Sequence, residues 1–383
     1  MNKWIKDFPM LKNNIVYLDN AALLLKPQSV IDAITHFYTN ISISNRTLDS
    51  TLGIEVNTKI NETRSKVAKL LDAQDDEIIF TSGATDSLNY ASSLLDKIIK
   101  KGDEIILSKF NHASNIVPWI ELANRTGAKI ILSIKLEKDI TEKTKLVCFA
   151  QVNNSFQVTE KIDDIYRRTQ EVGAILVNDA AQAIAYQKVS FKNSDIIVFS
   201  TNKFYGPTGV GILAVKKSIL DKCVAKRYGG GATAYITANN EWKSKDNITM
   251  HEPGTMNFSG IFGFHAALDY FDSLDLDEIN KHIKDLSIYL FDELGKIDNV
   301  RISSRIGDSI TLFGIKGTEP QDVASYLGHN NIYVRSGIFC NQYLNRIKDK
   351  SYIRISLSFY NTKEDIDKIC DAIKRGGDFL GFL

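Results

Sequence analysis

The sequence holds only four cysteines in 383 residues, and no two of them form a CxxC pair. That scarcity excludes a disulfide scaffold and offers no zinc-ligand spacing, and free thiols fit a reducing cytoplasm. Charge of one sign is missing too. The 47 Lys+Arg against 46 Asp+Glu leave a net charge of +1. Such a balance has neither the basic footprint of a nucleic-acid binder nor an acidic tail. No apolar run approaches the roughly 20 residues that a membrane helix needs. The stretch from Met1 to Met10 is mixed and charged, unlike the apolar centre of a secretory signal. Internal repeats and low-complexity segments are absent.

What is present is ordinary for a globular chain: 44% hydrophobic and 24% charged residues. Single cores stop growing at roughly 250–300 residues, so this length implies two packed domains. Short apolar strands are expected at 77–80, 104–107, 129–134, 145–150, 175–178, 195–200 and 211–215. Several are continuous apolar runs, the pattern of strands buried on both faces. Helical stretches at 28–39, 53–71, 85–100, 115–125 and 161–171 alternate with them, which predicts an α/β domain around a mostly parallel sheet. From about Gly260 the pattern changes to long helices at 261–274 and 276–294, strands at 300–303, 309–314 and 352–356, and a helix opened by a Thr362/Asp365 capping pair. This predicts a large domain over 15–255 and a smaller α+β domain from 1–14 and 256–383. The glycine-bearing stretch 228–253 reads as a flexible crossing between them.

Three motifs carry chemistry. In Thr81-Ser82-Gly83-Ala84-Thr85 a strand ends, a small-residue turn follows and a helix begins. Backbone N–H groups there can cradle a phosphate, although an ordinary strand–helix turn has the same signature. Asp179 lies at the C-terminal end of an apolar strand, where α/β sheets place ligands, but the position equally suits a helix N-cap. Lys203 follows another apolar strand in Ser200-Thr201-Asn202-Lys203-Phe204-Tyr205-Gly206-Pro207. A partly desolvated lysine forms Schiff bases, and a surface loop lysine does not.

Together the order and spacing of the three resemble the fold-type-I pyridoxal-phosphate enzymes. The resemblance extends to the class V aminotransferases and, within them, to SUF-type cysteine desulfurases. It runs through Tyr17-Leu18-Asp19-Asn20-Ala21-Ala22, Thr81–Thr85, Asn111-His112-Ala113-Ser114-Asn115-Ile116-Val117-Pro118-Trp119, Asp179–Gln182, Ser200–Pro207, Gly254-Thr255-Met256-Asn257, Val334–Cys340 and Arg354. The resemblance implies pyridoxal 5'-phosphate held covalently by Lys203, which also moves the Cα proton. It places His112 on the pyridine ring, Asp179 at the pyridinium nitrogen, and Gln182 at the ring oxygen with Asn154 nearby. Ala84, Thr85 and Ser200 hold the phosphate, Asn202 can add a hydrogen bond, and Thr255 reaches across from the partner of a homodimer. Arg354, with Asn154, binds the substrate carboxylate, for which a planar guanidinium fork is suited. No metal is implied.

Cys340 decides the implied reaction, since in that family this cysteine takes sulfur from L-cysteine as a persulfide and leaves L-alanine. A thiolate is the competent nucleophile, and Arg335 is placed to favour it. The other thiols read as structural: Cys148 and Cys370 fall on apolar faces, and Cys223 has no motif around it. The implied role is sulfur supply for iron–sulfur or related cofactor assembly, through a sulfur-acceptor or scaffold protein in the cytoplasm, with no nucleic acid and no membrane. The chain also departs from the family pattern. Asn202 replaces a histidine before the lysine, Ile338 and Phe339 replace two histidines before Cys340, and Ser44-Asn45-Arg46-Thr47-Leu48-Asp49 keeps the arginine of a His-Arg-Gly-x-His-like segment without its histidines. Two other readings stay open: a selenocysteine lyase or other C–S/C–Se lyase of the same class, and a non-catalytic scaffold that binds a sulfur-transfer partner.

Overall fold

The structure is a computed structural model and describes residues 2–156, 161–341 and 351–376. Its chain divides into two compact units, Ser29–Gln151 with Glu160–Asp272, and Met1–Gln28 with Val152–Thr159 and Ser273–Leu383. The first strand, β1 (Val16–Tyr17), belongs to the smaller unit.

In the larger unit the apolar runs become β2 (Ile78–Thr81), β3 (Glu104–Ser108), β4 (Lys129–Ser133), β5 (Thr144–Ala150), β6 (Ile175–Asp179), β7 (Ile196–Ser200) and β8 (Gly211–Val215). They form one sheet in the order β2-β8-β7-β6-β5-β3-β4. The pairs β4–β3, β3–β5, β5–β6 and β6–β7 are parallel, whereas β8 runs antiparallel to both β7 and β2. The helices Val117–Thr126 and Ile162–Val172 lie in the β3–β4 and β5–β6 connections, the lengths that parallel pairing demands. The β7–β8 connection is a short turn, so it can only reverse direction. Ile106, Leu107, Val147, Cys148, Leu176, Val177, Ile197 and Val198 are buried whichever face they point to, which explains the unbroken apolar runs.

Two expectations about chain organisation are corrected. The 228–253 stretch is not a crossing. It folds within the larger unit as an antiparallel hairpin, β9 (Thr233–Ile236) with β10 (Trp242–Ser244), followed by a 3-10 turn at Ile248–His251. The division between units falls after Gln28 and after Asp272, not at 15 and 255. The helix Phe258–Asp272 explains the second shift. It is apolar on nearly every side, and Phe271 packs on Phe204 with ring centroids 4.5 Å apart while Phe264 meets Phe199 at 6.2 Å. The change of pattern near Gly260 therefore marks a buried helix, not a boundary.

A buried ion pair ties the hairpin segment to the sheet. Arg64, from helix Thr51–Leu71, donates through Nη1 and Nη2 to Glu252 Oε1 and Oε2 at 2.9 and 2.7 Å, and the Phe80 N–H donates to Oε1 at 2.8 Å. Glu252→Leu is expected to cost about 3–5 kcal/mol, because it strands a buried guanidinium. Denaturant unfolding checks this, and Arg64→Met in the same chain should recover most of the loss. An unchanged midpoint in Glu252→Leu would show that the pair carries no stability.

The smaller unit holds β11 (Val300–Ile302), β12 (Ile310–Ile315), β13 (Ile332–Tyr333), β14 (Arg335–Gly337) and β15 (Tyr352–Ser356). An antiparallel sheet runs β11-β12-β15-β14, and β1 pairs parallel with β13. That pairing explains why residues up to Gln28 belong here. Helices Leu276–Gly295, Pro320–His329 and Lys363–Arg375 complete an α+β unit. The Thr362/Asp365 capping box is present, with Thr362 Oγ1 accepting from the Asp365 N–H at 3.2 Å and Asp365 Oδ2 from the Thr362 N–H at 3.1 Å.

Candidate functional site

Strand ends assemble the first group of residues, all in the larger unit. At the end of β2 the chain turns through Ser82 and Gly83 into the helix Ala84–Leu94. Asp86 Oδ2 holds that turn, accepting from the Ser82 N–H at 3.0 Å and from its hydroxyl at 3.1 Å. The end of β7 brings Ser200 alongside, where its Oγ accepts the Ala84 N–H at 2.6 Å. Close approach depends on Gly211 at the start of β8, since a Cβ there would meet the Gly83 backbone at 2.4 Å. The result is a cradle of small residues at a helix N-terminus with a hydroxyl beside it, which fits a phosphate group. Thr85 lies at its rim, its Oγ1 2.8 Å from Ser114 Oγ.

Ser114 also fixes His112. The Ser114 N–H donates to His112 Nδ1 at 3.1 Å, so Nδ1 uses its lone pair and the neutral ring carries its proton on Nε2. Asp179 ends β6 and is 6% exposed. Burial raises its pKa, while the Ala181 N–H, donating at 3.1 Å, and the nearby Lys203 ammonium pull it down. The capping reading of Asp179 is thus half present: its carboxylate holds a turn, with no helix following. Lys203 sits half-buried in the 3-10 turn Thr201–Lys203 between β7 and β8, close enough to attract Asp179. Gln182 and Asn202 are half-buried in the turns after β6 and β7. A buried acid facing a half-buried amine, beside an anion cradle, fits a phosphorylated pyridine aldehyde.

Thr255 is placed differently. It lines a cavity of about 340 Å³ with Thr81, Ser82, Asp86 and Arg227 of its own chain. Arg46 lies behind it, donating through Nη2 to the carbonyls of Gly230 at 3.1 Å and Gly254 at 2.6 Å.

A second group lies in the smaller unit. Arg354, in the middle of β15, is 2% exposed, a burial that excludes a surface salt bridge. Its Nη2 donates to Asp19 Oδ1 at 2.6 Å and its Nη1 to the Asn154 carbonyl at 3.1 Å, while its Nε has no hydrogen-bond partner among the described residues. The Phe339 ring covers the guanidinium at 4.9 Å. Asn154 Nδ2 donates to the Phe339 carbonyl at 2.9 Å, and Phe339 is buried beside Leu312 and Tyr352. Phe339 and Cys340 both take left-handed backbone angles, with φ of 51° and 56°. This pair of turns buries Phe339 and leaves Cys340 exposed. Register in the β14–β15 pair sets Arg335 opposite Arg354.

Among the cysteines the structural readings hold for Cys148 and Cys370, which are buried, and Cys223 is half-buried. Burial pushes Cys148 up, Cys223 to about 11 and Cys370 to about 12. Sequence reasoning gave no role to Asp19, Ser114 or Asp86. Ser114 and Asp86 carried a legible signal, being close in sequence to the His112 and Ser82 groups they hold, and Asp19 carried none. Asp19 and Arg354 are 335 positions apart and meet only through the sheet.

The profile of the aminotransferase class-V family matches residues 16–369. The chain belongs to that family. It is 37% identical to a probable cysteine desulfurase of Ureaplasma parvum, over 100% of both chains. It is 33% identical to another from Borreliella burgdorferi, covering 97% of this chain and 94% of that one. Among solved structures, a cysteine desulfurase of Escherichia coli in an S-sulfonic acid form superposes with a TM-score of 0.91 at 27% identity, covering 100% of this chain and 98% of that one. An apo cysteine desulfurase from Thermococcus onnurineus gives 0.90 at 28% identity, with 96% of each chain covered. This class V member therefore has the expected fold-type-I architecture with its mostly parallel sheet.

Proposed function

We propose that the protein is a pyridoxal-phosphate-dependent cysteine desulfurase, converting L-cysteine and the Cys340 thiol to L-alanine and a Cys340 persulfide. The observation that carries this is Cys340 itself. Among the four thiols it is the exposed one, presented on a turn whose neighbour packs against a buried arginine. The full-length likeness to proteins bearing the desulfurase name supports the same reading.

Pyridoxal phosphate, when bound, supplies an electron sink for charge left at the substrate α-carbon. The Ala84 cradle, Thr85 and Ser200 would hold its phosphate, with Asn202 as a further donor. Lys203 would hold the cofactor covalently, and its amine would take and return the α-proton. Asp179, as the carboxylate, would hold the pyridine nitrogen protonated. Burial raises the carboxyl's pKa, and the Ala181 N–H and the Lys203 charge oppose that rise. His112, with its proton on Nε2, would cover the ring, and Gln182 would serve the ring oxygen. Arg354 and Asn154 hold the substrate carboxylate. The Cys340 thiolate attacks the substrate sulfur: a new S–S bond forms, the C–S bond breaks, and the carbon takes a proton to give alanine. An exposed persulfide is then open to a sulfur-acceptor or scaffold protein of iron–sulfur or related cofactor assembly. A homodimer supplies Thr255 to the partner's phosphate. No helix among the described residues is long and apolar enough to cross a membrane, and thiol chemistry of this kind suits a reducing cytoplasm.

Incubation with L-cysteine followed by mass spectrometry of the Cys340 peptide tests the proposal. One added sulfur atom, removed by a thiol reductant, is expected. Alanine release with no sulfur on Cys340 would refute it.

A further inference from the structure

We infer that Asp19 is a specificity-determining residue that occupies Arg354 until a substrate carboxylate displaces it. The inference rests on the reading of Arg354 as the carboxylate binder.

Asp19 is not needed to aim the guanidinium. The Asn154 carbonyl holds Nη1 at 3.1 Å, and the Phe339 ring covers one face at 4.9 Å. The arginine side chain is 2% exposed and that of Asp19 is 20% exposed, so Asp19 is the partner on the water side of the pair. An anion arriving from solvent therefore meets Asp19 before it meets Nη2. The Asp19 main chain stays fixed while its side chain swings: its carbonyl accepts from the N–H groups of Ala22 at 3.1 Å and Leu23 at 3.3 Å.

The exchange favours the substrate because the two carboxylates use the fork differently. Asp19 takes one donor, Nη2, and leaves Nε buried without a partner among the described residues. A free α-carboxylate can take Nε and Nη2 together, and bidentate pairing is the stronger arrangement. It also satisfies a donor that is otherwise buried and unmet. Asp19 nevertheless lowers the net gain, since its attraction to Arg354 has to be given up. It acts as a built-in competitor that discourages ligands lacking a two-oxygen carboxylate.

The test is binding of L-alanine to the holoenzyme by calorimetry, together with KM and kcat for L-cysteine. Asp19→Asn removes the competing charge, and Asp19→Ser removes it in a smaller side chain should the first variant fold poorly. L-Alanine is expected to bind about tenfold more tightly to either, the scale of one charged hydrogen bond. KM for L-cysteine falls in parallel. Unchanged or weaker binding would overturn the inference, because a residue that merely positions Arg354 weakens binding when lost. Arg354→Leu separates the two levels of the argument. If it binds L-alanine as well as wild type does, the carboxylate reading of Arg354 fails and not only the role of Asp19.

Discussion

Replacing Cys340 with alanine is expected to abolish alanine and sulfide release from L-cysteine, by on the order of a thousandfold or more, while cofactor absorbance is kept. The loss should be near complete because no other thiol can substitute. Burial holds Cys148 well above the ordinary range, Cys223 at about 11 and Cys370 at about 12, so each is almost wholly protonated at neutral pH. A protonated thiol is a poor nucleophile. Cys340 also lies in a different unit from the cradle residues: its neighbours Phe339 and Asn154 are in the smaller unit, and Ala84, Ser200 and Asp179 are in the larger one. Its removal therefore leaves the phosphate cradle and Asp179 intact. A coupled assay for alanine, with an absorbance spectrum of the same sample, checks both halves. Wild-type turnover in the variant would remove the desulfurase assignment.

Lys203→Ala should lose the covalent link to the cofactor and at least as much activity. In wild type, borohydride treatment and peptide mass spectrometry are expected to find the fixed cofactor on Lys203. The variant should show none anywhere. Two effects combine here. The amine proposed to move the α-proton is gone, and so is the positive charge that draws the Asp179 pKa down. With burial left less opposed, the carboxyl holds its proton to higher pH and serves the pyridine nitrogen less well. Lys203→Arg separates the two, since it keeps a cation beside Asp179 but has no primary amine for the link. A stable cofactor adduct on a different lysine would contradict the role given to Lys203.

Ile338 and Phe339, where the resemblance implies histidines, look from sequence alone like a loss of proton handlers. The fold gives Phe339 a different job. Its ring covers Arg354, its carbonyl accepts from Asn154, and its left-handed backbone turns Cys340 outward. No rule of local sequence reveals this, because the three partners lie at positions 154, 339 and 354 and converge only through β15 and the segment around Asn154.

The α/β class, most strand positions of the large sheet and the capped last helix were legible in the sequence alone. These are local properties. Unbroken apolar runs force burial on both faces, small residues at a strand end permit close backbone approach, and a Thr–Asp pair three apart caps a helix wherever it occurs. Only the tertiary structure decided where the two units divide, that 228–253 is a hairpin, and that Asp19 stands against Arg354. Each of those depends on which distant segments share a surface. That is settled by the pairing of β1 with β13 and by the apolar faces of helix Phe258–Asp272, whose partners are set by packing and not by their neighbours in the chain.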